Sequence, residues 1–170
     1  MDLSKLTSGN KVPEEINVFI EITQGGTIKY ELDKESGFLF VDRFVHGALY
    51  YPFNYGFIPG THAEDGDPLD VLVISTFPVR EGTIMIARPI GMLEMEDEAG
   101  IDTKIIAVPR IKIDPFYAEI KDIMQLPEMT RLKIKNFFDR YKDLEEGKWV
   151  KTKDFLSKEK AFDAIKKSII

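Results

Sequence analysis

The first part of the chain shows the two-residue alternation of apolar and polar side chains that is typical of β-strands. The even-numbered positions from Ile16 to Ile22 are apolar, and a second run from Ile28 to Leu32 follows the pair Gly25-Gly26. Two glycines between such runs favour a tight turn, so we predict that the second run returns as the hairpin partner of the first. A third strand is predicted from Phe38 to Phe44.

Four further apolar runs predict additional strands, and Gly or Pro residues lie between them. These runs are Val71–Ile74, Thr83–Ile90, Gly91–Met95 and Lys104–Val108. Frequent short strands with such punctuation are typical of a closed barrel.

In the last third of the chain the apolar spacing changes to three and four residues, as expected of helices that pack one face on a core. Asp114-Pro115 has the form of a helix start, a capping carboxylate followed by proline. Pro127 opens a longer helix with an apolar stripe that continues to Tyr141. Ser157 is predicted to cap a final amphipathic helix that runs to Ile169.

Composition narrows the class of protein. With 170 residues, 44% of them apolar, the chain suits one compact domain over residues 1–170. The absence of cysteine excludes disulfides, thiol catalysis and thiolate zinc sites. The polar N-terminal stretch and the lack of a run of ~20 apolar residues predict a soluble, cytoplasmic protein with no membrane partner. A net charge of −6 without a long basic run argues against nucleic acid as a partner.

The densest group of acidic residues is the stretch Asp65-Gly66-Asp67-Pro68-Leu69-Asp70. Gly66 and Pro68 favour a tight, non-helical path, so the three carboxylates are predicted to converge rather than spread along a rod. Like charges held together repel unless a cation lies among them. Hard divalent ions with oxygen ligands, above all Mg²⁺, suit such a cluster.

A second acidic group, Asp97, Glu98 and Asp102, precedes the run that starts at Lys104; taken alone, it is typical of a solvated turn. Together with charged residues of the early strands, Asp97 and Asp102 form a set of seven carboxylates and four fixed cations, a net charge of −3. The carboxylates are Glu21, Glu31, Asp65, Asp67, Asp70, Asp97 and Asp102, and the cations are Lys29, Arg43, Lys104 and Lys142. Metal ions bound with a small, phosphate-rich anion would satisfy both signs of charge.

The stretch from Asp65 to Val71 resembles the signature of the family I soluble inorganic pyrophosphatases. The resemblance runs from about Pro13 to Val150 with nearly fixed spacing, and the length matches the short bacterial form. The other matching blocks are Ile28–Glu31, Phe40–Arg43, Tyr51–Gly56, Asp97–Gly100, Tyr141–Leu144 and Gly147–Val150.

This resemblance implies a mainly β (α+β) fold, a five-stranded OB-like closed β-barrel with helices packed outside. It implies hydrolysis of inorganic pyrophosphate to two orthophosphates by direct attack of a metal-activated water. Several Mg²⁺ ions per site are expected, with Mn²⁺ as a possible substitute, and the chain is expected to form a homohexamer.

The resemblance also implies roles for individual residues. Asp65, Asp70 and Asp102 would hold the first Mg²⁺, with Asp70 bridging to a second. Asp97 and Asp102 would bind a metal that arrives with the substrate, and Glu21 and Glu31 would complete the acidic shell. The two phosphoryl groups would be bound by Lys29, Arg43, Lys104, Tyr141 and Lys142, with Tyr55 at the leaving or attacked side. Asp67 would accept the proton of the attacking water.

Three other functions stay open from the residues themselves. One is a calcium-binding or structural β-module, although Thr76 stands where an EF-hand needs its bidentate Glu, and a structural staple leaves Lys29, Arg43 and Lys142 unexplained. Another is an OB-type nucleic-acid binder, which the net charge disfavours. The third is another metal-dependent phosphohydrolase.

Overall fold

The computed structural model describes residues 6–33, 35–63 and 66–170. These residues form nine strands, two α-helices and two short 3-10 turns at Pro115–Tyr117 and Ile123–Gln125. The strands are β1 (Ile16–Ile22), β2 (Ile28–Leu32), β3 (Leu39–Phe44), β4 (Asn54–Phe57), β5 (Asp70–Val73), β6 (Ile84–Asp97), β7 (Gly100–Ile101), β8 (Lys104–Pro109) and β9 (Val150–Ser157). The helices are α1 (Glu128–Arg140) and α2 (Lys158–Ser168).

Five of these strands are joined in a ring. β1 pairs with β4, β4 with β5, β5 with β8, β8 with β6, and β6 pairs back with β1. The β5–β8 pair is parallel and the other four pairs are antiparallel. β7 and β9 extend the sheet from β6, and α1 and α2 pack against the outside of β9 and β6. The predicted fold class, a mainly β five-stranded barrel with outer helices, is therefore confirmed.

The predicted hairpin between the first two strands is wrong. β2 pairs with β3 in a separate two-stranded sheet, and both edges of β1 are occupied by β4 and β6. No edge of β1 is left for β2. The glycines between them bond elsewhere, since Gly25 N–H donates to the carbonyl of Tyr51 at 2.8 Å and Gly26 accepts from Tyr51 N–H at 2.9 Å.

The two predicted runs Thr83–Ile90 and Gly91–Met95 are one strand, β6, with an irregular register between Pro89 and Gly91. β6 is long enough to pair with β1 near its start and with β7 and β9 near its end. The sequence did not predict β9. Its residues are only partly buried and lack a clear alternation.

The helical stripe of α1 is confirmed, because Ile134, Phe137 and Phe138 are buried and Tyr141 packs beside them at the helix end. At the predicted start Asp114-Pro115 the chain forms only a 3-10 turn, in which the Asp114 carboxylate accepts from Phe116 N–H. In the described part of the chain, neither helix is long and apolar enough to cross a membrane.

Candidate active site

A cavity of about 440 Å³ opens at one end of the strand ring. Twelve of the thirteen site residues predicted from the sequence line it. They are Glu21, Lys29, Glu31, Arg43, Tyr55, Asp67, Asp70, Asp97, Asp102, Lys104, Tyr141 and Lys142. The thirteenth, Asp65, lies outside the described residues. Six carboxyl groups and four fixed cations thus face one space, which leaves an excess of two negative charges among the described residues.

Strand topology explains how distant residues meet at this cavity. Asp70 and Lys104 are the first residues of β5 and β8, which are parallel neighbours paired from Val71 and Ile105 onward. Parallel neighbours begin at the same edge of a sheet, so two side chains 34 positions apart in sequence lie side by side.

The Lys104 ammonium occupies the centre of this edge. Its Nζ donates to Oδ2 of Asp70 at 2.5 Å and to Oδ1 of Asp102 at 2.6 Å, and the residue is only 3% exposed. Burial by itself lowers the pKa of a lysine, but the two carboxylates outweigh that effect and raise the pKa of Lys104 above its usual range. Lys104 is therefore a permanent cation, and it also lies 5.8 Å from the ring centre of Tyr55.

Burial disfavours the ionised form of two carboxyl groups in this part of the cavity. The pKa of Glu21 is raised to about 8, chiefly by burial, although the Leu32 N–H donates to its Oε1 at 3.1 Å. The pKa of Asp102 is also raised by burial, and Lys104 offsets only part of that rise. A buried carboxyl group of this kind either holds a proton or requires another cation nearby.

In the same cavity, Lys142 pairs with Asp97 at 2.7 Å and lies 3.7 Å from Glu98. Burial tends to raise the pKa of Asp97, but the hydrogen bonds from Lys142 and from Ala99 N–H outweigh it, so the pKa is lowered. Asp97 is therefore an anion with its charge already balanced by Lys142.

The cavity mouth carries Lys29 and Arg43, which are direct partners in the β2–β3 register. Asp42 contacts both cations, at 3.2 Å from Lys29 and 3.0 Å from Arg43, and Glu145 lies 3.3 Å from Arg43. Neither acidic partner was predicted from the sequence. Asp42 could have been found from its position next to Arg43, whereas Glu145 reaches the mouth from the segment after α1, which no local pattern reveals.

Three tyrosines form the apolar wall. Tyr51 and Tyr55 are buried with ring centres 5.2 Å apart, and Tyr141 stacks on Phe137 at 5.3 Å. Burial raises the pKa of all three hydroxyls, so each keeps its proton as a hydrogen-bond donor. Tyr51, which was not among the predicted site residues, both packs in the core and lines the cavity.

The donor set suits a hard divalent cation. As positioned, no three His, Asp or Glu side chains of the described ranges converge closely enough to hold a metal by themselves. Mg²⁺ does not need such a cage, because it keeps several waters and binds through one or two carboxylates plus substrate phosphates. Burial raises the pKa values of Glu21 and Asp102, so a cation bound beside them would stabilise their ionised forms.

Known proteins are similar to this chain in sequence and in architecture. A family profile described as inorganic pyrophosphatase matches residues 18–170. The inorganic pyrophosphatase of Aquifex pyrophilus is 59% identical over 169 residues, 99% of this chain and 96% of that protein.

Solved structures agree. The inorganic pyrophosphatase of Thermus thermophilus has a TM-score of 0.95 at 42% identity, covering 99% of this chain and 97% of that one. That of Helicobacter pylori has a TM-score of 0.94 at 50% identity, covering 97% and 96%. Since the likeness covers nearly the full length of each protein, it includes every element that contributes to the cavity.

Proposed function

Because this chain belongs to the inorganic pyrophosphatase family and is an inorganic diphosphatase, we propose that it hydrolyses pyrophosphate to two orthophosphates in a Mg²⁺-dependent reaction, by direct attack of water. The observation that carries this proposal is one cavity in which four fixed cations face six carboxyl groups. Pyrophosphate requires the cations, and the metal ions that accompany it require the carboxylates. Membership of an enzyme family also argues against the alternative of a purely structural β-module.

The residues proposed to hold the metal ions are Glu21, Glu31, Asp70, Asp97 and Asp102, together with Asp65 from outside the described residues. Divalent cations supply Lewis acidity, which makes water more acidic and neutralises phosphate oxygens. Mg²⁺ is the proposed ion and Mn²⁺ the proposed substitute, because both prefer carboxylate oxygen ligands. Asp70 would contribute its carboxylate to more than one of these ions.

The chain's own contribution is a set of fixed charges and one base. Lys29, Arg43 and Lys142 reach the cavity from separate elements and are proposed to bind the phosphoryl oxygens, where charge increases on the leaving phosphate. Asp67 is proposed to accept the proton of the attacking water at its carboxylate.

Lys104 and the tyrosines are proposed to assist substrate binding. The ammonium of Lys104, already held by Asp70 and Asp102, is proposed to present a donor to the substrate while keeping those carboxylates in place. Tyr55 and Tyr141 keep their protons in the folded chain, since burial raises the pKa of each. They are proposed to donate hydrogen bonds to phosphate oxygens.

The finer biological setting is likewise a proposal. We propose a homohexamer that acts in the cytoplasm and removes the pyrophosphate released by biosynthetic reactions.

The test is phosphate release from pyrophosphate by the wild type with Mg²⁺, by the wild type with EDTA, and by Asp70→Asn. We expect rapid hydrolysis with Mg²⁺, none with EDTA, and at least a roughly 100-fold lower kcat for the variant, which keeps the shape but loses the ligand charge. The matched control is Asp154→Asn, the same substitution at an exposed position of β9, with wild-type kcat expected.

Absence of hydrolysis by a folded, Mg²⁺-loaded wild type would overturn the proposed function. Normal kcat in Asp70→Asn would leave the activity standing and remove the proposed role of Asp70. Nucleotides and phosphate monoesters tested in parallel separate a pyrophosphatase from another metal-dependent phosphohydrolase, because only the former is expected to prefer pyrophosphate strongly.

A further inference from the structure

The segment of residues 58–69 connects β4 to β5 and brings two proposed active-site carboxylates into position. Asp67 lies within it and Asp70 follows directly after it. Phe57 and Asp70 are register partners in the antiparallel β4–β5 pair, and the Ile58 N–H donates to the Leu69 carbonyl at 2.9 Å. The segment therefore leaves and rejoins the barrel at one narrow neck, formed by the hydrogen-bonded residues Ile58 and Leu69.

Side-chain packing holds the two ends of this segment, where Ile58 and Leu69 are buried in the core, whereas Gly66 and Asp67 are exposed. The active-site cavity lies on one side of it, and a second cavity of about 610 Å³ lies on the other, between the segment and α2. Pro68 and Asp70 line both cavities. The exposed residue Asp67 has few packed neighbours, so its position depends on hydrogen bonds, such as that from Ala63 N–H to its carbonyl at 2.7 Å, and on the placement of Leu69 two residues later.

The hydroxyl of Thr61 makes two of those bonds. Its Oγ1 donates to the Ile58 carbonyl at 2.6 Å and accepts from Leu69 N–H at 2.9 Å, and the residue is 2% exposed. One oxygen atom thereby joins both sides of the neck. Pro68 has no N–H to offer, so the Leu69 amide is the first backbone donor available between Asp67 and Asp70.

Thr61 is itself anchored from outside the segment. It forms an isolated β-bridge with Ile169, and the neighbouring His62 N–H donates to the Ser168 carbonyl at 2.6 Å. The hydroxyl is thus attached to a backbone position that is held by Ser168 at the end of α2 and by Ile169 after it, and it links that position to Leu69.

We propose that Thr61 is a positioning residue for the reaction, whose hydroxyl sets the location of Asp67 and Asp70 by tying Leu69 to the neck of the segment. This inference rests on the proposed function, in which those two carboxylates act as base and metal ligand. Thr61 does not line the active-site cavity and acts only through its neighbours.

The test compares Thr61→Val with Thr61→Ser. Valine keeps the branched shape and removes the hydroxyl, whereas serine keeps the hydroxyl and removes a methyl group. We expect a kcat roughly 10- to 100-fold lower for Thr61→Val, the effect of a small displacement of catalytic groups. KM should stay within about threefold, since Lys29, Arg43 and Lys142 bind substrate from other elements. Thr61→Ser should keep most of the wild-type kcat.

The matched control is Thr83→Val. The Thr83 hydroxyl also donates to the carbonyl three residues earlier, that of Arg80 at 2.7 Å, but in an exposed turn that does not line either cavity. Its kcat should equal that of the wild type. Hydrogen exchange measured by mass spectrometry without substrate gives a second readout, with faster exchange expected in peptides covering residues 58–70 of Thr61→Val and not of Thr83→Val.

Wild-type kcat per folded molecule in Thr61→Val would overturn the proposal, and so would an equal loss in Thr61→Val and Thr61→Ser. If Thr61→Val does not fold, Thr61→Ala, which introduces no larger group, is judged by the same criteria. The wild-type assay run alongside distinguishes the two failures, because an inactive wild type removes the proposed function, whereas an active wild type with an equally active Thr61→Val removes only the role of Thr61.

Discussion

At the scale of single residues, burial in the metal-free site opposes the ionisation of its carboxyl groups. Glu21 is only 9% exposed, and burial raises its pKa from 4.5 to about 8. Below pH 4.5 the group is protonated in both the folded and unfolded chain. Between pH 4.5 and 8 the folded chain keeps a proton on Glu21 that the unfolded chain has released, so the free energy of unfolding falls as pH rises. Above about pH 8 Glu21 is ionised in both states, and the destabilisation by its buried charge is complete.

Glu21→Gln should therefore stabilise the metal-free protein at high pH. The amide can still accept the Leu32 N–H bond but carries no charge to bury. In urea unfolding with EDTA, the variant should match the wild type near pH 4.5 and gain a few kcal/mol by pH 8 to 9, at about 1.4 kcal/mol per pKa unit.

With Mg²⁺ added, the order should reverse, because the neutral amide is a poorer ligand for the ion. Glu119→Gln, the same substitution at an exposed position, serves as the control and should change the unfolding free energy by less than about 0.5 kcal/mol. A constant difference between Glu21→Gln and wild type from pH 4.5 to 9 would contradict this account.

At the scale of elements, the ring depends on close contact between β1 and β4. Ile20 and Gly56 are register partners, and a Cβ at position 56 would lie 1.8 Å from the carbonyl oxygen of Phe19. The clash is with backbone, which cannot rotate away as a side chain can. β4 also leads into the segment that carries Asp67, so this contact supports the site as well as the barrel.

Gly56→Ala should lower the free energy of unfolding by about 3 kcal/mol or more, since overpacking at this point separates two strands of the ring. Thermal and urea unfolding measure the loss. Gly47→Ala is the control, because a Cβ there meets nothing within 4 Å, and its effect should stay within about 0.5 kcal/mol. Equal stability of the two variants would show that the β1–β4 contact can relax without cost.

At the scale of the whole molecule, the outer surface of the single chain carries large apolar groups. Phe38, Phe40 and Phe44 around β3 are each more than half exposed, and so are Phe77 and Phe116. Exposed apolar surface of this extent marks sites of protein association. It supports the proposed homohexamer, although it does not by itself fix the number of copies.

Sedimentation equilibrium should accordingly give a mass of about 117 kDa, six copies of a 19.5 kDa chain. Burial of these aromatic side chains between copies is the expected driving force, so the mass should persist in high salt. A mass near 19.5 kDa at micromolar concentration would rule out the hexamer.

The sequence by itself determined the fold class and nearly the whole list of candidate site residues. Period-two alternation and continuous apolar runs are local properties, so β1, β2, β3 and β5 could be located from their own residues. The family resemblance, through the spacing of charged blocks, selected thirteen site residues, among them Lys29 and Lys142. Twelve of the thirteen line the cavity. Asp65 stays a prediction, and the roles of all thirteen await experiment.

Only the tertiary structure decided which strands pair and which charges meet. β2 joins β3 because both edges of β1 are occupied, and Lys104 lies between Asp70 and Asp102 because β5 and β8 run parallel from one edge. The contacts of Glu145 with Arg43 and of Thr61 with Leu69 are equally invisible in local pattern. Such contacts depend on competition among all segments for the same edges and space, and that competition is resolved only when the whole chain has packed.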